Sequence, residues 1–242
     1  MGELRKLSDL TGYNFQASDG DIGRLEEVYF DDQRWQVRYL VVRTGSWLLG
    51  RQVLLLPAAV VGIDDKNHSI QVDLTQQQIK DAPPVDSEEP VSRYYQQQYH
   101  SYYDWEPYWT TDPLFQANPL ILPLNQSETT EPENPHLRTS DEVSGYNLEA
   151  EGGSVGHVED LILDDQTWTV RFLEIDTRNW LPGRHVLISP AWVEKIDWSK
   201  QRVQVKLSHQ LVKSAPEYDS SQLVSREYQL ALYKHYGKVF TD

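Results

Sequence analysis

The sequence predicts a mainly β fold with α additions: two small β-barrels in tandem, each followed by short helices. The first observation is an internal repeat, because a constant shift of 133 residues aligns the two halves of the 242-residue chain without a gap. The second is a series of short runs of β-branched and aromatic residues separated by turn residues. The third is the appearance of helix caps and downstream prolines at the end of each half.

The repeat extends well beyond any short motif: of the 92 positions that align 12–103 with 145–236, 41 are identical. Every loop has kept its length, so we expect the two halves to superpose closely. The period exceeds the roughly 20–50 residues of solenoid repeats, which indicates that each copy is a domain. We therefore divide the chain into a first domain (1–104), a proline-rich aromatic linker (105–136) and a second domain (137–242).

Each half carries about six short strands, bounded by polar turns such as Asp31-Asp32-Gln33 and by prolines that cannot donate to a ladder. Several short strands at close spacing favour a small sandwich or barrel. The predicted strands are 13–15, 23–30, 37–42, 52–56, 60–64 and 70–74 in the first half, and 155–163, 170–175, 185–188, 193–197 and 203–207 in the second.

The end of each half changes to a helical pattern. Thr75 and Ser208 are predicted to cap short helices over 75–80 and 208–213, with Pro83 and Pro216 shortly beyond. Second helices are predicted over 91–103 and 224–236, and the one in the first half is dominated by Tyr and Gln. In the linker, six prolines between 107 and 135 argue against regular structure, and its first part is rich in aromatic residues.

Composition excludes several function classes. The chain has no cysteine, so it has no disulfide, thiolate metal site or Cys nucleophile. Its net charge of -15 argues against direct binding of nucleic acid, which draws its affinity from Lys and Arg. No run approaches the roughly 20 apolar residues of a membrane span, so we expect no membrane insertion. Together these features predict an acidic, cytoplasmic protein.

The strands of each half resemble the PRC-barrel signature, over roughly 5–75 and 138–208. The resemblance implies a bacterial β-barrel that docks on other macromolecules and has no shared catalytic residues. The family includes the cytoplasmic domain of the photosynthetic reaction-centre H subunit and the C-terminal domain of a ribosome-maturation factor. The matching positions include Gly23, Leu25, Val28, Asp31, Val37, Arg38, Trp47, Gly50, Arg51 and Pro57, and in the second half Gly156, Val158, Leu161, Asp164, Val170, Arg171, Trp180, Gly183, Arg184 and Pro190.

Paired carboxylates recur at Asp31-Asp32 and Asp164-Asp165. They could bind a cation or act as acid and base, but Asp is also favoured in hairpin turns because it bonds its own backbone. The seven histidines are unmatched between the halves, which argues against a shared zinc site. We therefore predict no catalytic, cofactor-binding or metal-binding residue.

Recurring aromatic and Arg residues are the candidates for partner binding, because such side chains are enriched at interfaces. Packing within the domain is the alternative for the aromatic residues, and a structural ion pair is the alternative for the arginines. The candidates are Trp35, Trp47, Arg51, Tyr95, Tyr99, Trp105, Trp109, Trp168, Trp180 and Arg184.

The function predicted from these features is that of a non-enzymatic adaptor or scaffold that binds another protein. We expect the two barrels to pair within the chain, with the aromatic helices and the linker at the joint, and a homo-oligomer remains open. One alternative is an accessory factor in ribosome or RNA maturation that binds a basic ribosomal protein. Another is an accessory of a photosynthetic or electron-transfer membrane complex. The sequence does not identify the partner.

Overall fold

Fourteen strands of the computed structural model form one continuous sheet. The structure describes residues 2–83, 93–111, 136–177 and 184–240. The first half contains β1 (Leu4–Lys6), α1 (Leu7–Leu10), β2 (Asn14–Ala17), β3 (Gly20–Asp31), β4 (Gln36–Thr44), β5 (Gln52–Leu55), β6 (Val60–Asp64), β7 (Ser69–Val72), α2 (Gln76–Asp81) and α3 (Arg93–Tyr102).

The second half follows the same succession of elements. It contains β8 (Leu137–Thr139), α4 (Ser140–Val143), β9 (Asn147–Glu151), β10 (Gly153–Asp164), β11 (Thr169–Asp176), β12 (His185–Ile188), β13 (Val193–Asp197), β14 (Arg202–Ser208), α5 (His209–Lys213) and α6 (Arg226–His235). The order in the sheet is β13-β14-β9-β10-β11-β4-β3-β2-β7-β6, an open path that ends at β13 and β6. The fold is therefore mainly β with a few helices.

The hairpins β3–β4 and β10–β11 are the longest antiparallel pairs of the sheet. Leu25, Val28 and Phe30 of β3 are buried in the core, and the odd spacing from 25 to 28 coincides with a register shift between Leu25 and Glu27. A glycine is required at position 23, because a Cβ there would overlap the carbonyl oxygen of Arg43 on the neighbouring strand. Gly156 lies equally close to the backbone of Asp176, so the same close approach recurs in β10.

The two halves exchange their first strands. β1 pairs with β10 of the second half, and β8 pairs with β3 of the first half. The hydrophobic residues of both halves consequently form one continuous core, to which Leu4, Leu7 and Val143 contribute. The domain boundaries at 104 and 137 remain a prediction. Strand β1 of the first predicted domain pairs with the second, and strand β8 of the second pairs with the first.

The sequence prediction missed β1, α1, β8, β9 and α4, which are all three to five residues long. The placement of the aromatic helices at the joint stays a prediction. Tyr99 of α3 is buried with Tyr39, Val41 and Leu54 of its own half and with Leu137 of the exchanged strand β8. Residues 112–135 of the predicted linker lie outside the described residues. Among the helices described, none is long and apolar enough to cross a membrane.

Candidate functional site

The two halves meet at the tips of equivalent hairpins. The backbone N–H of Val37 donates to Trp168 O at 2.8 Å, and that of Val170 donates to Trp35 O at 2.7 Å. Both tryptophans are buried, and each takes a positive φ that closes its turn, 55° for Trp35 and 53° for Trp168. Because the two bonds are reciprocal, the joint has approximate two-fold symmetry.

In each recurring Asp pair, the first residue closes the hairpin turn and the second contacts an exchanged strand. Asp31 Oδ1 accepts the N–H groups of Gln33 and Arg34, and Asp164 Oδ1 does the same for the corresponding residues of its turn. The second carboxylate of each pair instead holds the exchanged strand. Asp165 contacts Arg5 Nε at 2.7 Å, and Asp32 lies 3.7 Å from Arg138 Nε.

The two exchanged arginines have different further partners. Arg5 also contacts Asp65 at 2.6 Å, whereas Arg138 lies over the ring of Trp198 with its guanidinium carbon 4.3 Å from the centroid. Asp65 and Trp198 occupy aligned positions of the repeat. The ionic contact of one half is therefore replaced by a cation–π contact in the other.

A buried carboxylate marks the outer face of β11. The side chain of Glu174 is fully buried, and its oxygens lie 3.3 Å from Lys6 Nζ and 2.9 Å from His185 Nδ1. Burial raises the pKa of Glu174 above its ordinary value, although the Lys6 and His185 charges oppose this shift. The aligned residue of the first half is Val41, so this charged cluster belongs to the second half alone.

A polar and aromatic cluster covers the outer face of the first half. Tyr39 on β4 points toward α3, where its hydroxyl lies 3.2 Å from His100 Nε2 and 3.5 Å from Gln96 Oε1. Tyr99 is buried in the same cluster, and burial raises the pKa of its hydroxyl to about 12. The helix is therefore held by packing on its own half.

The segment after α3 returns across this face and fills a groove. Tyr108 lies over Arg38, with 4.1 Å between the guanidinium carbon and the ring centroid, and its hydroxyl donates to Gln96 Oε1 at 2.6 Å. Trp109 is buried, with its ring 4.9 Å from that of His100. Asp31 binds the other side of Arg38 at 3.0 Å. This arginine therefore lies between a carboxylate and an aromatic ring.

The corresponding region of the second half is an open cleft of about 660 Å³. Arg171 and Tyr233 line it and align with Arg38 and His100, which hold Tyr108 and Trp109 in the first half. The hairpin tip of the first half forms the opposite wall through residues 32–35. The remaining lining residues are His136, Thr169, Val170, Ser189, Pro190, Ala191, Val193, Glu194, Lys195, Ile196 and Trp198.

Most of the aromatic residues predicted for partner binding are occupied inside the molecule. Trp35, Tyr99, Trp109 and Trp168 are buried in the joint or under the aromatic segment. Trp47 is half-buried, and its indole N–H donates to Ile22 O at 2.7 Å.

The remaining predicted residues also have structural contacts. Tyr95 and Trp105 are half-buried and stack on Tyr99 and Tyr103, at 6.4 Å and 4.1 Å between centroids. Arg51 donates to the carbonyls of Ile79, Lys80 and Ala82 at the end of α2, and Arg184 donates to Ala215 O after α5. Trp180 lies outside the described residues.

Trp35 is the one predicted partner-binding residue among those that line the cleft, and the other lining residues were not predicted. Tyr108 and Trp109 align with Thr241 and Asp242, and the ring that packs on Tyr233 after α6 is Phe240, with 5.1 Å between the centroids. One further cluster, His157, Glu159 and Asp176, brings a possible set of metal ligands within 4.8 Å of one another. Each of its members has additional contacts, so the cluster is not a free site.

Comparison with known families gives one match. The model of the PRC-barrel domain matches residues 148–212, which run from β9 into α5. No curated protein matches the chain. The match includes Arg171 and the Ser189–Ile196 wall of the cleft, but not α6.

Proposed function

We propose that the chain is a non-enzymatic adaptor made of two PRC-type barrels, and that a partner protein docks in the cleft beside the second barrel. The single observation that carries the proposal is the open cleft between β11, β13 and the hairpin tip of the first half. Its volume lies within the roughly 300–1,000 Å³ range of ligand sites. Both halves line it, so the paired arrangement itself creates the surface.

The tandem arrangement is supported by the repeat. The match at residues 148–212 supports one barrel, and the first half has the same succession of strands with 41 of 92 aligned residues identical. Two related barrels that pair through their first strands have equivalent outer faces, but different residues cover them. One face holds its own aromatic segment, and the other is available to a partner.

Binding without catalysis is supported by the roles of the recurring polar groups. Asp31 and Asp164 close hairpin turns, and Asp32 and Asp165 hold exchanged strands. A general acid or base must reach the reacting group, whereas these carboxylates are occupied by the fold. The cleft lining instead combines aromatic, aliphatic and charged side chains, as protein interfaces do.

Affinity capture with a matched pair of variants tests this proposal. Ala191 lies in the cleft wall and is exposed, and the aligned Ala58 is exposed in the first half. Ala191→Arg should obstruct the cleft and abolish specific protein capture from the source cells, whereas Ala58→Arg should retain it. Capture of the same proteins by both variants, or turnover by a chain mutated at neither site, would overturn the proposal.

The identity of captured proteins separates the alternatives. Basic ribosomal proteins would favour a role in ribosome maturation, and subunits of a photosynthetic or electron-transfer complex would favour a role at the membrane. Soluble proteins of another class would favour a general scaffold. The cytoplasmic location and the possibility of a homo-oligomer stay predictions from the sequence.

A further inference from the structure

The lining of the open cleft is cationic, although the chain as a whole is acidic. Three cationic side chains, those of Arg34, Arg171 and Lys195, line the cleft together with two carboxylates, those of Asp32 and Glu194. The whole chain has a net charge of -15 at pH 7. A cleft lined by an excess of one charge concentrates its field and attracts ligands of the opposite charge. The lining therefore favours an anionic ligand.

Both carboxylates of the cleft already have cationic partners. An oxygen of Asp32 lies 3.7 Å from Arg138 Nε, and an oxygen of Glu194 lies 3.3 Å from Lys206 Nζ. Neither Arg138 nor Lys206 is itself a lining residue. Because cations outside the lining balance the two carboxylates, the cations of the lining keep their excess of positive charge.

Arg171 and Lys195 are the cations that stay unbalanced. Neither side chain has an ion pair or a hydrogen bond to any residue that the structure describes. In the first half, the aligned Arg38 contacts Asp31 at 3.0 Å, and Gly62 occupies the position that aligns with Lys195. The two unbalanced cations thus belong to the second half alone. A guanidinium and an ammonium without partners are suited to bind carboxylates.

Strand β13 contributes a free edge to the same cleft. It is the last strand at one end of the sheet path, and its ladder partner is β14. Residues 193–196 of this strand line the cleft. Within the described parts of the chain, Glu194, Lys195 and Ile196 make no backbone hydrogen bond outside the pair with β14. An edge with unpaired N–H and C=O groups can accept a further strand.

The chemistry of this edge favours an acidic strand over a second copy of the chain. The ladder has a register shift between Val193 and Lys195, and the side chain of Lys195 is exposed. Bulges and lysines on an edge discourage pairing between identical edges, because like charges would lie opposite each other. A glutamate or aspartate opposite Lys195 would instead form a favourable cross-strand pair.

We infer that the cleft binds an acidic segment of a partner protein in an extended conformation. The segment adds to the edge of β13 and places its carboxylates against Arg171 and Lys195. Apolar lining residues, among them Pro190 and Ala191, are available to the uncharged side chains of the segment. The inference rests on the proposed adaptor function and specifies the chemistry of the partner.

The probe is a synthetic peptide of alternating glutamate and valine, about six residues long, the usual length of a strand. It carries a neutral fluorophore and is titrated with the full chain in an anisotropy assay. We expect saturable binding of one peptide per chain that weakens as the salt concentration rises. The same peptide with glutamine in place of glutamate should bind about tenfold more weakly, through loss of the charged contacts.

Charge reversal at matched positions separates the cleft from the field of the whole chain. Lys195→Glu should weaken binding of the glutamate peptide about tenfold, because it replaces an attractive contact by a repulsive one. Lys66→Glu changes the net charge equally at an exposed turn of the first half, and should leave the affinity within about twofold. Arg171→Gln should weaken binding about fivefold, by loss of one carboxylate contact.

Backbone methylation of the peptide tests the addition of a strand. The N–H groups of successive residues in a strand point to opposite sides, so only alternate residues can pair with β13. One peptide is N-methylated at its valines and another at its glutamates, which removes the donors of one side in each. One of the two should lose binding, and the other should keep its affinity within about twofold.

Several outcomes would overturn the inference. Absence of saturable binding, equal affinity for the glutamate and glutamine peptides, or equal weakening by Lys195→Glu and Lys66→Glu each contradicts it. An equal effect of the two methylation patterns would contradict strand addition. Tighter binding of a uridine oligonucleotide of the same charge would assign the cleft to nucleic acid instead. If the peptide fails while Ala191→Arg still abolishes capture, the adaptor function stands and only the partner's chemistry is wrong.

Discussion

Replacement of Lys6 by threonine tests how the buried Glu174 is held. The carboxylate is fully buried and lies 3.3 Å from the Lys6 ammonium and 2.9 Å from the imidazole of His185, which is charged only when protonated. Removal of one partner from a buried ion pair costs about 3–5 kcal/mol, because the other charge is left uncompensated. We expect Lys6→Thr to lower the free energy of unfolding by about 3 kcal/mol, the lower limit, since His185 remains.

The first half supplies the control, because Thr139 and Val41 stand at the aligned positions. Lys6→Thr combined with Glu174→Val should return the stability to within about 1 kcal/mol of the unmodified chain, since an apolar replacement of a buried pair is often neutral. Glu174→Val alone should cost about 1 kcal/mol or less, because Lys6 is 17 % exposed and still lies 3.9 Å from Asp160.

Urea denaturation at several pH values measures all four proteins. Burial raises the pKa of Glu174 in the folded chain, so the folded state takes up a proton before the unfolded state as the pH falls. The loss of unfolding free energy caused by Lys6→Thr is therefore fully present above the pKa that Glu174 has in the folded chain. It shrinks as the pH falls through that pKa. A cost below about 0.5 kcal/mol at pH 7, or a double variant no more stable than Lys6→Thr, would refute this reasoning.

Three further changes give expected stabilities in the same denaturation assay. Arg5→Ala should cost about 2 kcal/mol, because Arg5 binds Asp165 of the other half together with Glu3 and Asp65 of its own, and Arg138→Ala about 1 kcal/mol; the reverse order would contradict the exchange. Gly23→Ala should cost about 3 kcal/mol, because its Cβ would overlap Arg43 O, whereas Gly45→Ala should change stability by less than about 0.5 kcal/mol; equal effects would exclude the close approach. Thr75→Ala should cost about 1 kcal/mol by loss of the capping box at α2, and no change would show that the cap is dispensable.

Local features of the fold could be predicted from the sequence. Strand β6 has its predicted limits, and Thr75 and Ser208 cap α2 and α5 as their side-chain chemistry requires. The exchange of β1 and β8 between the halves could not be predicted from the sequence. A gapless repeat gives the same alignment whether Arg5 pairs with Asp32 of its own half or, as the structure shows, with Asp165 of the other.

The cleft was not predicted for a related reason. The predicted candidates were mainly residues that recur in both halves, and the recurring residues build the turns and the joint. The cleft lies between segments of both halves, among them Asp32, Trp35 and Lys195, and it depends on how the two hairpin tips pair. Only the path of residues 105–109 across α3 shows that Tyr108 is the occupant of the first groove.

Site-specific labelling tests the central claim most directly, and the absence of cysteine makes a single introduced thiol unique. Ala191→Cys and Ala58→Cys place that thiol at equivalent exposed positions of the two halves. A photoreactive benzophenone attached to Ala191→Cys should crosslink to the partner protein that the unmodified chain captures, whereas the same label on Ala58→Cys should not. Equal crosslinking from the two positions, or crosslinking from Ala58→Cys alone, would contradict docking in the cleft.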